Sequence, residues 1–226
     1  MRIKKLTLYT HQLESEKKFY SETLGFSFLD SSEKDFSVKV GSTQLTFQKT
    51  NQLYIYHYCF LIPENKLDEG VEWLKQRLPL IEIEKGRWIE NFETWNADSI
   101  YFYDGSGNIA EFIVRYDLDN QSDEEFSLAS ILNVNEIGMP VRDVAKMNHQ
   151  LEKLGSPLWR GDLKRFGVNG TQDGLFLLPN YEIKTRWFPT SLSIQPSPFK
   201  AVIEIGNQLY ECVFENEIFT TITIES

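Results

Sequence analysis

The sequence contains only two cysteines, Cys59 and Cys212, among its 226 residues. They lie far apart and neither belongs to a Cys-x-x-Cys motif, which excludes a metal cluster held by cysteines and argues against a disulfide framework. No apolar run reaches the roughly 18 residues that a transmembrane helix requires. The N-terminus, Met-Arg-Ile-Lys-Lys, lacks the continuous apolar region of a signal peptide. We therefore expect a cytoplasmic protein that does not enter a membrane.

Basic residues are also few, since 23 lysines and arginines face 33 acidic residues and the formal net charge is −10. They are scattered along the chain, which argues against nucleic acid and an anionic membrane surface as partners. A hydrophobic fraction of 41%, with 14% aromatic residues, indicates a folded chain that can bury a sizeable core. The expected partner is a small molecule, and the sequence leaves open whether the chain forms a homodimer.

Residues 99–115 predict two strands joined by a tight turn. Asp104-Gly105 and Gly107-Asn108 tolerate the positive φ angles of such a turn, and β-prone residues flank them on both sides. The second strand contains Glu111 between apolar neighbours. A carboxylate in so apolar a strand is costly to bury without a cation or hydrogen-bond donors beside it. Glu111 is therefore either a site residue or a strand residue that faces water.

Two stretches of the chain predict the same order of elements, β-α-β-β-β. The first consists of strand Lys4–Thr10, a helix near 15–24 with Ser15 as its N-cap, and strands near 26–29, 36–40 and 44–48. The second consists of strand Tyr56–Ile62, a helix capped by Asn65, and strands near 81–84, 99–103 and 108–115. An internal repeat of about 50 residues is a strong sign of a repeated structural unit.

The remainder of the chain predicts a reduced version of the same pattern. Residues 118–126 are acidic and poor in apolar side chains, which is typical of a linker. A third unit follows, with a helix at Val144–Leu154. The fourth unit has no predicted helix, and its strands follow the irregular segment 180–198. We predict one two-unit domain at residues 1–117 and a reduced domain at 127–226.

The run Asp-Gly-Ser-Gly-Asn-Ile-Ala-Glu-Phe at 104–112 resembles the last hairpin of the vicinal oxygen chelate superfamily. This superfamily includes glyoxalase I, bleomycin-resistance proteins and extradiol dioxygenases. Residues 6–8, 19–20 and 24–26 resemble its opening strand and helix, and 57–62 resemble the start of its second unit. The resemblance implies an α+β fold in which paired βαβββ units form curved mixed sheets that enclose a cleft.

The resemblance also implies a metal centre in the cleft of residues 1–117. Carried over residue by residue, it assigns His57 and Glu111 as metal ligands and catalytic residues. The metal would be a divalent ion, Fe, Mn, Zn or Ni, that holds two neighbouring oxygens of a substrate. The implied function is a glyoxalase- or dioxygenase-like enzyme acting on an unknown small molecule.

Lys5 departs from this pattern because it occupies the first-strand position where the superfamily usually has a histidine. Thr46 and Gln48 stand near the position of the fourth ligand, so the 2-His-1-carboxylate set is incomplete. If Lys5 and Glu111 face one cleft, an ion pair between them is an alternative to a metal. The rival function is then a metal-free protein that binds or sequesters a planar ligand, as bleomycin-resistance proteins do.

Several further residues are expected to line the cleft or bind substrate. Cys59 shares the His57 face, although a small buried thiol is its commoner role. Arg115 continues the Glu111 face and could hold an anionic group, and Glu136 opens the third unit with no expected catalytic role. The full set of expected cleft residues is Lys5, Tyr9, Gln48, Cys59, Trp95, Tyr101, Tyr103 and Arg115.

Overall fold

A computed structural model describes residues 1–224, in which four units follow one another along the chain. The first unit contains β1 (Arg2–Thr10), α1 (Leu13–Lys18) with a π-helical turn (Phe19–Thr23), β2 (Phe28–Ser31), β3 (Asp35–Val40) and β4 (Thr43–Lys49). The second contains β5 (His57–Leu61), α2 (Leu67–Lys75), β6 (Ile89–Phe92), β7 (Ala97–Tyr103) and β8 (Ile109–Arg115).

The third and fourth units lie beyond the acidic linker. The third contains β9 (Asn133–Gly138), α3 (Val144–Leu154), β10 (Leu158–Gly161), β11 (Phe166–Thr171) and β12 (Gly174–Pro179). The fourth consists of β13 (Phe199–Ile205), β14 (Gln208–Glu215) and β15 (Ile218–Ile224). The predicted α+β fold of paired βαβββ units is thus confirmed, and the fourth unit contains no helix within residues 1–224.

The strands form two mixed sheets, and each sheet combines units from both sides of the linker. The first unit joins the fourth in a seven-stranded sheet with the order β15-β14-β13-β1-β4-β3-β2. The second joins the third in an eight-stranded sheet with the order β10-β11-β12-β9-β5-β8-β7-β6. The division into domains at residues 1–117 and 127–226 stays a prediction. Hydrogen-bonded strand pairs cross this division, since β1 pairs with β13 and β5 pairs with β9.

One hydrophobic cluster joins the two sheets. Alternation in β1 directs Leu6 and Leu8 into it, and β5 contributes Tyr58 and Phe60 from the other sheet. The hydroxyl groups of Tyr20 and Tyr58 lie 2.8 Å apart, and Tyr58 donates to Asp104 at 2.7 Å. His57 and Cys59, on the opposite face of β5, lie outside this cluster.

The N-caps predicted for the first two helices, Ser15 and Asn65, are wrong. Ser15 is not an N-cap, because α1 begins at Leu13 and the Ser15 hydroxyl donates instead to the backbone oxygen of Gly105 at 2.6 Å. Asn65 does not cap α2 but bonds to the backbone of Ser122 in the linker. For α3 the Asp143 side chain accepts from the backbone nitrogen of Lys146 at 2.9 Å, as an N-cap does.

The strand predicted near 81–84 is wrong. Ile81 and Ile83 donate their backbone N–H groups to Tyr101 and Arg87, and the chain turns at Glu84–Arg87. The edge strand of the sheet is β6, which pairs with β7 instead. A bilayer requires a helix of about 20 apolar residues, and none of the helices within residues 1–224 has that length and apolarity. The cytoplasmic location stays a prediction.

Candidate metal centre and ligand cavity

Three central strands of the eight-stranded sheet bring a histidine and two glutamates together. Cys59 of β5 lies opposite Glu111 in the parallel pair with β8 and opposite Glu136 in the antiparallel pair with β9. His57 lies two residues before Cys59 and therefore on the same face of the sheet. The small Cys59 side chain leaves room for the two flanking carboxylates to converge above it.

The ligand atoms of His57, Glu111 and Glu136 all lie within 4.8 Å of one another, and the three residues are buried. His57 Nε2 and Glu111 Oε2 are 3.2 Å apart. Two ligands held about 2.1 Å from one ion, at tetrahedral or octahedral angles, lie about 3.0–3.4 Å apart. Imidazole nitrogen and carboxylate oxygen are also donors that Mn, Fe, Zn and Ni accept. The donor set and its spacing therefore fit a divalent cation.

Arg115 supplies a positive charge beside this cluster. Its side chain is fully buried, Nη2 donates to Glu136 Oε1, and Nε donates to Asn135 Oδ1 at 2.9 Å. The guanidinium lies 5.3 Å from the ring centre of Trp159. Glu136 is thus shared between the cluster and an ion pair, which leaves one carboxylate oxygen for another partner.

The strand register places an apolar residue at the fourth equivalent position of the second and third units. Glu111 pairs with Cys59, two residues after His57, and Leu177 pairs with Gly138, two residues after Glu136. Leu177 is therefore the counterpart of Glu111 in the third unit. Since leucine has no donor atom, the centre has three protein ligands at most from these four positions.

Burial controls the protonation of the groups around the cluster. It raises the pKa of Glu136 above its usual range, with Glu111 adding to the rise, whereas the charge of Arg115 opposes it. Burial, followed by the charges of Glu111 and Glu136, raises the pKa of the Cys59 thiol. Burial also raises the pKa of the Tyr101 hydroxyl. Cys59 and Tyr101 are consequently neutral at physiological pH.

The cluster forms part of the wall of a cavity of about 320 Å³. Its walls are mainly aromatic, and Trp187 lies 5.1 Å from the His57 ring, centre to centre. A Cβ atom at Gly138 would lie 2.6 Å from Trp187 Cη2, so the absence of a side chain there makes room for the indole. The lining aromatic residues are Phe92, Trp95, Tyr101, Phe166, Trp187 and Phe188.

Comparison with solved structures identifies the architecture. One similar structure is a protein of Bacillus subtilis subsp. subtilis str. 168 that is described as a candidate dioxygenase. The alignment covers 99% of this chain and 84% of the Bacillus protein, with a TM-score of 0.62 and 13% sequence identity. The two chains therefore share a fold, which agrees with the paired βαβββ units expected from the resemblance to the vicinal oxygen chelate superfamily. No protein-family model and no curated protein sequence matches the chain.

Two smaller structures match about half of the chain. One is lactoylglutathione lyase from Agrobacterium tumefaciens. Its alignment covers 50% of this chain and 92% of the lyase, with 17% sequence identity and a TM-score of 0.42. The other is the fosfomycin resistance protein FosX from Listeria monocytogenes, in a complex with Mn(II). Its alignment covers 47% of this chain and 83% of FosX, with 19% sequence identity and a TM-score of 0.37.

The fold brings some of the expected site residues together. His57, Glu111, Trp95 and Tyr101 line the cavity. Cys59 is buried between the two glutamates, and burial separates its thiol from solvent. Arg115 reaches the cluster through Glu136. The assigned roles of these residues in catalysis or substrate binding stay predictions.

Other expected cleft residues lie elsewhere. Lys5, Tyr9 and Gln48 belong to strands of the seven-stranded sheet, and Lys5 is exposed beside Lys200 and Glu211. Tyr103 ends β7 with 43% of its surface exposed. The expectation that Lys5 and His57 face one cavity is wrong, as is the Lys5–Glu111 ion pair. The physical reason is that β1 pairs with β4 and β13, whereas β5 pairs with β8 and β9.

Glu136 and Lys184 line this cavity but were not among the residues expected there. Glu136 had a detectable signal, since it opens the third unit as His57 opens the second. Lys184 lies in the irregular segment 180–198, where no periodic pattern fixes the direction of a side chain. That segment lies between β12 and β13 and supplies part of the cavity wall.

Proposed function

We propose that this protein acts on a small organic molecule at a divalent-cation centre formed by His57, Glu111 and Glu136. The observation that carries the proposal is the convergence of their buried ligand atoms within 4.8 Å at the wall of a 320 Å³ cavity. Cavities of this size accommodate one small ligand. The proposal places the centre between the second and third units, not within residues 1–117 alone.

An orphaned polar atom supports an exogenous partner at this position. His57 Nδ1 is buried without a hydrogen-bond partner among residues 1–224. Arg115 is the only lysine or arginine within residues 1–224 that forms an ion pair with either of these two carboxylates. A bound divalent cation would supply the missing charge and polarise two neighbouring oxygens of the ligand. His57, Glu111 and Glu136 would hold the cation, and Arg115 would fix the orientation of Glu136.

The residues around the centre would position the ligand and exclude water. Tyr101 pairs with Glu111 across β7 and β8, so its ring lies beside the proposed centre. Trp187 and Phe188 cover the cavity from the segment before β13. Their rings would hold a planar molecule with its polar end directed at the glutamates.

We expect protein that has been treated with EDTA and desalted to bind Mn²⁺ in a calorimetric titration. His57→Ala and Glu111→Gln should each weaken this binding roughly 100-fold or more, because each removes one of only three protein ligands. Glu90→Gln is a matched control, since Glu90 lines the same cavity but pairs with Arg87 at 2.8 Å. Lack of Mn²⁺ binding by the wild type, or equal affinity in all four proteins, would contradict the proposal.

A metal-free binding protein is a second candidate, and one observation favours it. Arg115 already neutralises Glu136, and a cation beside a divalent ion is repelled even at an effective dielectric constant of about 20. The Mn²⁺ titration distinguishes the two functions, because a metal-free binding protein must bind its ligand in the absence of any cation.

A further inference from the structure

A groove beside the cavity carries an unusual concentration of positive charge. We define the cationic groove by Arg165, Lys184 and Arg186, which line a depression that adjoins the cavity. No carboxylate is among its lining residues within residues 1–224. In a chain with a formal net charge of −10, three cations without an acid form a local exception.

Lys184 is the innermost of these cations and lines both the groove and the cavity. Its ammonium group has no hydrogen-bond or ion-pair partner in the described chain and lies 5.3 Å from the ring centre of Phe166. Burial, and after it the charge of Arg165, lowers the pKa of Lys184, and no carboxylate opposes this effect. No ion pair joins the lysine to Glu111 or Glu136 within residues 1–224, whose partners are His57 and Arg115.

The acids that are close to the groove have other partners. Glu90 lines the cavity but pairs with Arg87 at 2.8 Å. Asp162 accepts from the backbone nitrogens of Lys164 and Arg165, at 2.7 and 2.6 Å, within a turn. Neither carboxylate forms an ion pair or a hydrogen bond with Lys184 in the described chain. The Lys184 ammonium group is therefore free to bind an anion from outside the chain.

Aromatic side chains form the wall between the cationic groove and the cavity. Trp187 and Phe188 line both spaces, and Phe92, Trp95 and Tyr101 continue the aromatic surface. Trp187 Nε1 is buried without a hydrogen-bond partner in the described chain, so a donor is free beside the aromatic walls. Flat rings on several sides favour a planar ring system.

We infer that the ligand of this cavity is a planar aromatic anion, whose carboxylate or phosphate group binds at Lys184 in the cationic groove and whose ring lies between the aromatic walls. The inference rests on the proposed role of the cavity as the ligand site, but it does not require a bound metal. Arg165 and Arg186 attract the anion from solvent, and Lys184 fixes its charged end.

Calorimetric titration with 1-naphthoate and with its neutral analogue 1-naphthamide tests the inference. We expect 1-naphthoate to bind at least tenfold more tightly than 1-naphthamide, and its affinity to fall as KCl is raised. Lys184→Met should weaken 1-naphthoate binding roughly tenfold or more and leave 1-naphthamide unchanged. Lys164→Met is the matched control, because Lys164 is exposed on the adjacent turn and lines neither space.

A parallel titration with 1-naphthyl phosphate distinguishes the two anionic groups, and the tighter of the two anions identifies the group that the groove accepts. Equal binding of 1-naphthoate and 1-naphthamide, absence of binding of both anions, or an unchanged affinity in Lys184→Met would overturn the inference. All titrations are made with EDTA and again with Mn²⁺. Binding of the anion without binding of Mn²⁺ would refute the proposed metal centre and leave the anion site intact. Binding of Mn²⁺ without binding of the anion would refute the anion site and leave the metal centre intact.

Discussion

Replacement of Arg115 by methionine is expected to lower the free energy of unfolding by about 3–5 kcal/mol, because it leaves the Glu136 carboxylate buried without its cation. Arg115 is completely buried, and its guanidinium bonds to Glu136 and Asn135. The loss should be larger at pH 8 than at pH 5. Unpaired Glu136 can take up a proton in the folded state, whereas the unfolded chain keeps it ionised above about pH 4.3.

Urea denaturation of three variants checks this result. Lys5→Met should change stability by less than about 0.5 kcal/mol, since Lys5 is exposed and distant from the cluster. Adding Glu136→Gln to Arg115→Met should restore part of the lost stability, because the uncompensated charge is then absent. A loss below about 1 kcal/mol in Arg115→Met would show that the ion pair does not hold these strands together.

The proposed metal centre gives Arg115→Met a second consequence. Removing the guanidinium leaves Glu136 free to bind a cation with its full charge, so Mn²⁺ should stabilise this variant more than it stabilises the wild type. Under the metal-free alternative, Mn²⁺ should have the same small effect on both proteins. The thermal unfolding midpoint with and without Mn²⁺ measures the difference.

Replacement of Glu16 by glutamine is expected to stabilise the protein increasingly as the pH rises. Glu16 is buried in α1, and neither side-chain oxygen has a hydrogen-bond partner in the described chain. The neighbouring Asp104 accepts bonds from the Ser106 and Asn108 backbone and from the Tyr58 hydroxyl. Burial, with the charge of Asp104 adding to it, raises the pKa of Glu16 well above its usual value.

The sign of the effect follows from proton release. The unfolded chain ionises Glu16 above about pH 4.3, whereas the folded chain keeps the proton until the raised pKa is reached. The stability that the protonated group contributes is therefore complete below about pH 4.3 and is lost by up to about 1.4 kcal/mol per pH unit above it. Glutamine does not ionise, so the Glu16→Gln variant escapes this loss.

Chemical denaturation between pH 4.5 and pH 8 measures the divergence of the two proteins. Glu14→Gln is the control on the same helix, since Glu14 is exposed and pairs with Lys17 at 3.0 Å. That change should alter stability by no more than about 0.5 kcal/mol at any pH. A constant difference between Glu16→Gln and the wild type across this range would mean that Glu16 is ionised in the folded protein.

The sequence by itself determined the repeated β-α-β-β-β pattern and the fold class. Alternation in β1, β5 and β8 is a local property of the backbone, as is the turn at Asp104–Asn108, so both are readable from neighbouring residues. The same local pattern placed His57 and Glu111 on strands with ligand-like positions. It failed at Ile81–Ile83, where β-prone residues lie in a turn-rich connection and the edge strand begins later, at Ile89.

Only the tertiary structure decided which units share a sheet, and this choice decided the composition of the site. Backbone N–H and C=O groups are the same in every strand, so the pattern of one unit does not specify which distant strand it pairs with. Because β5 pairs with β9 and not with β1, Glu136 lies beside Glu111 and Lys5 lies on the other sheet. The residue that balances the buried glutamates is therefore Arg115.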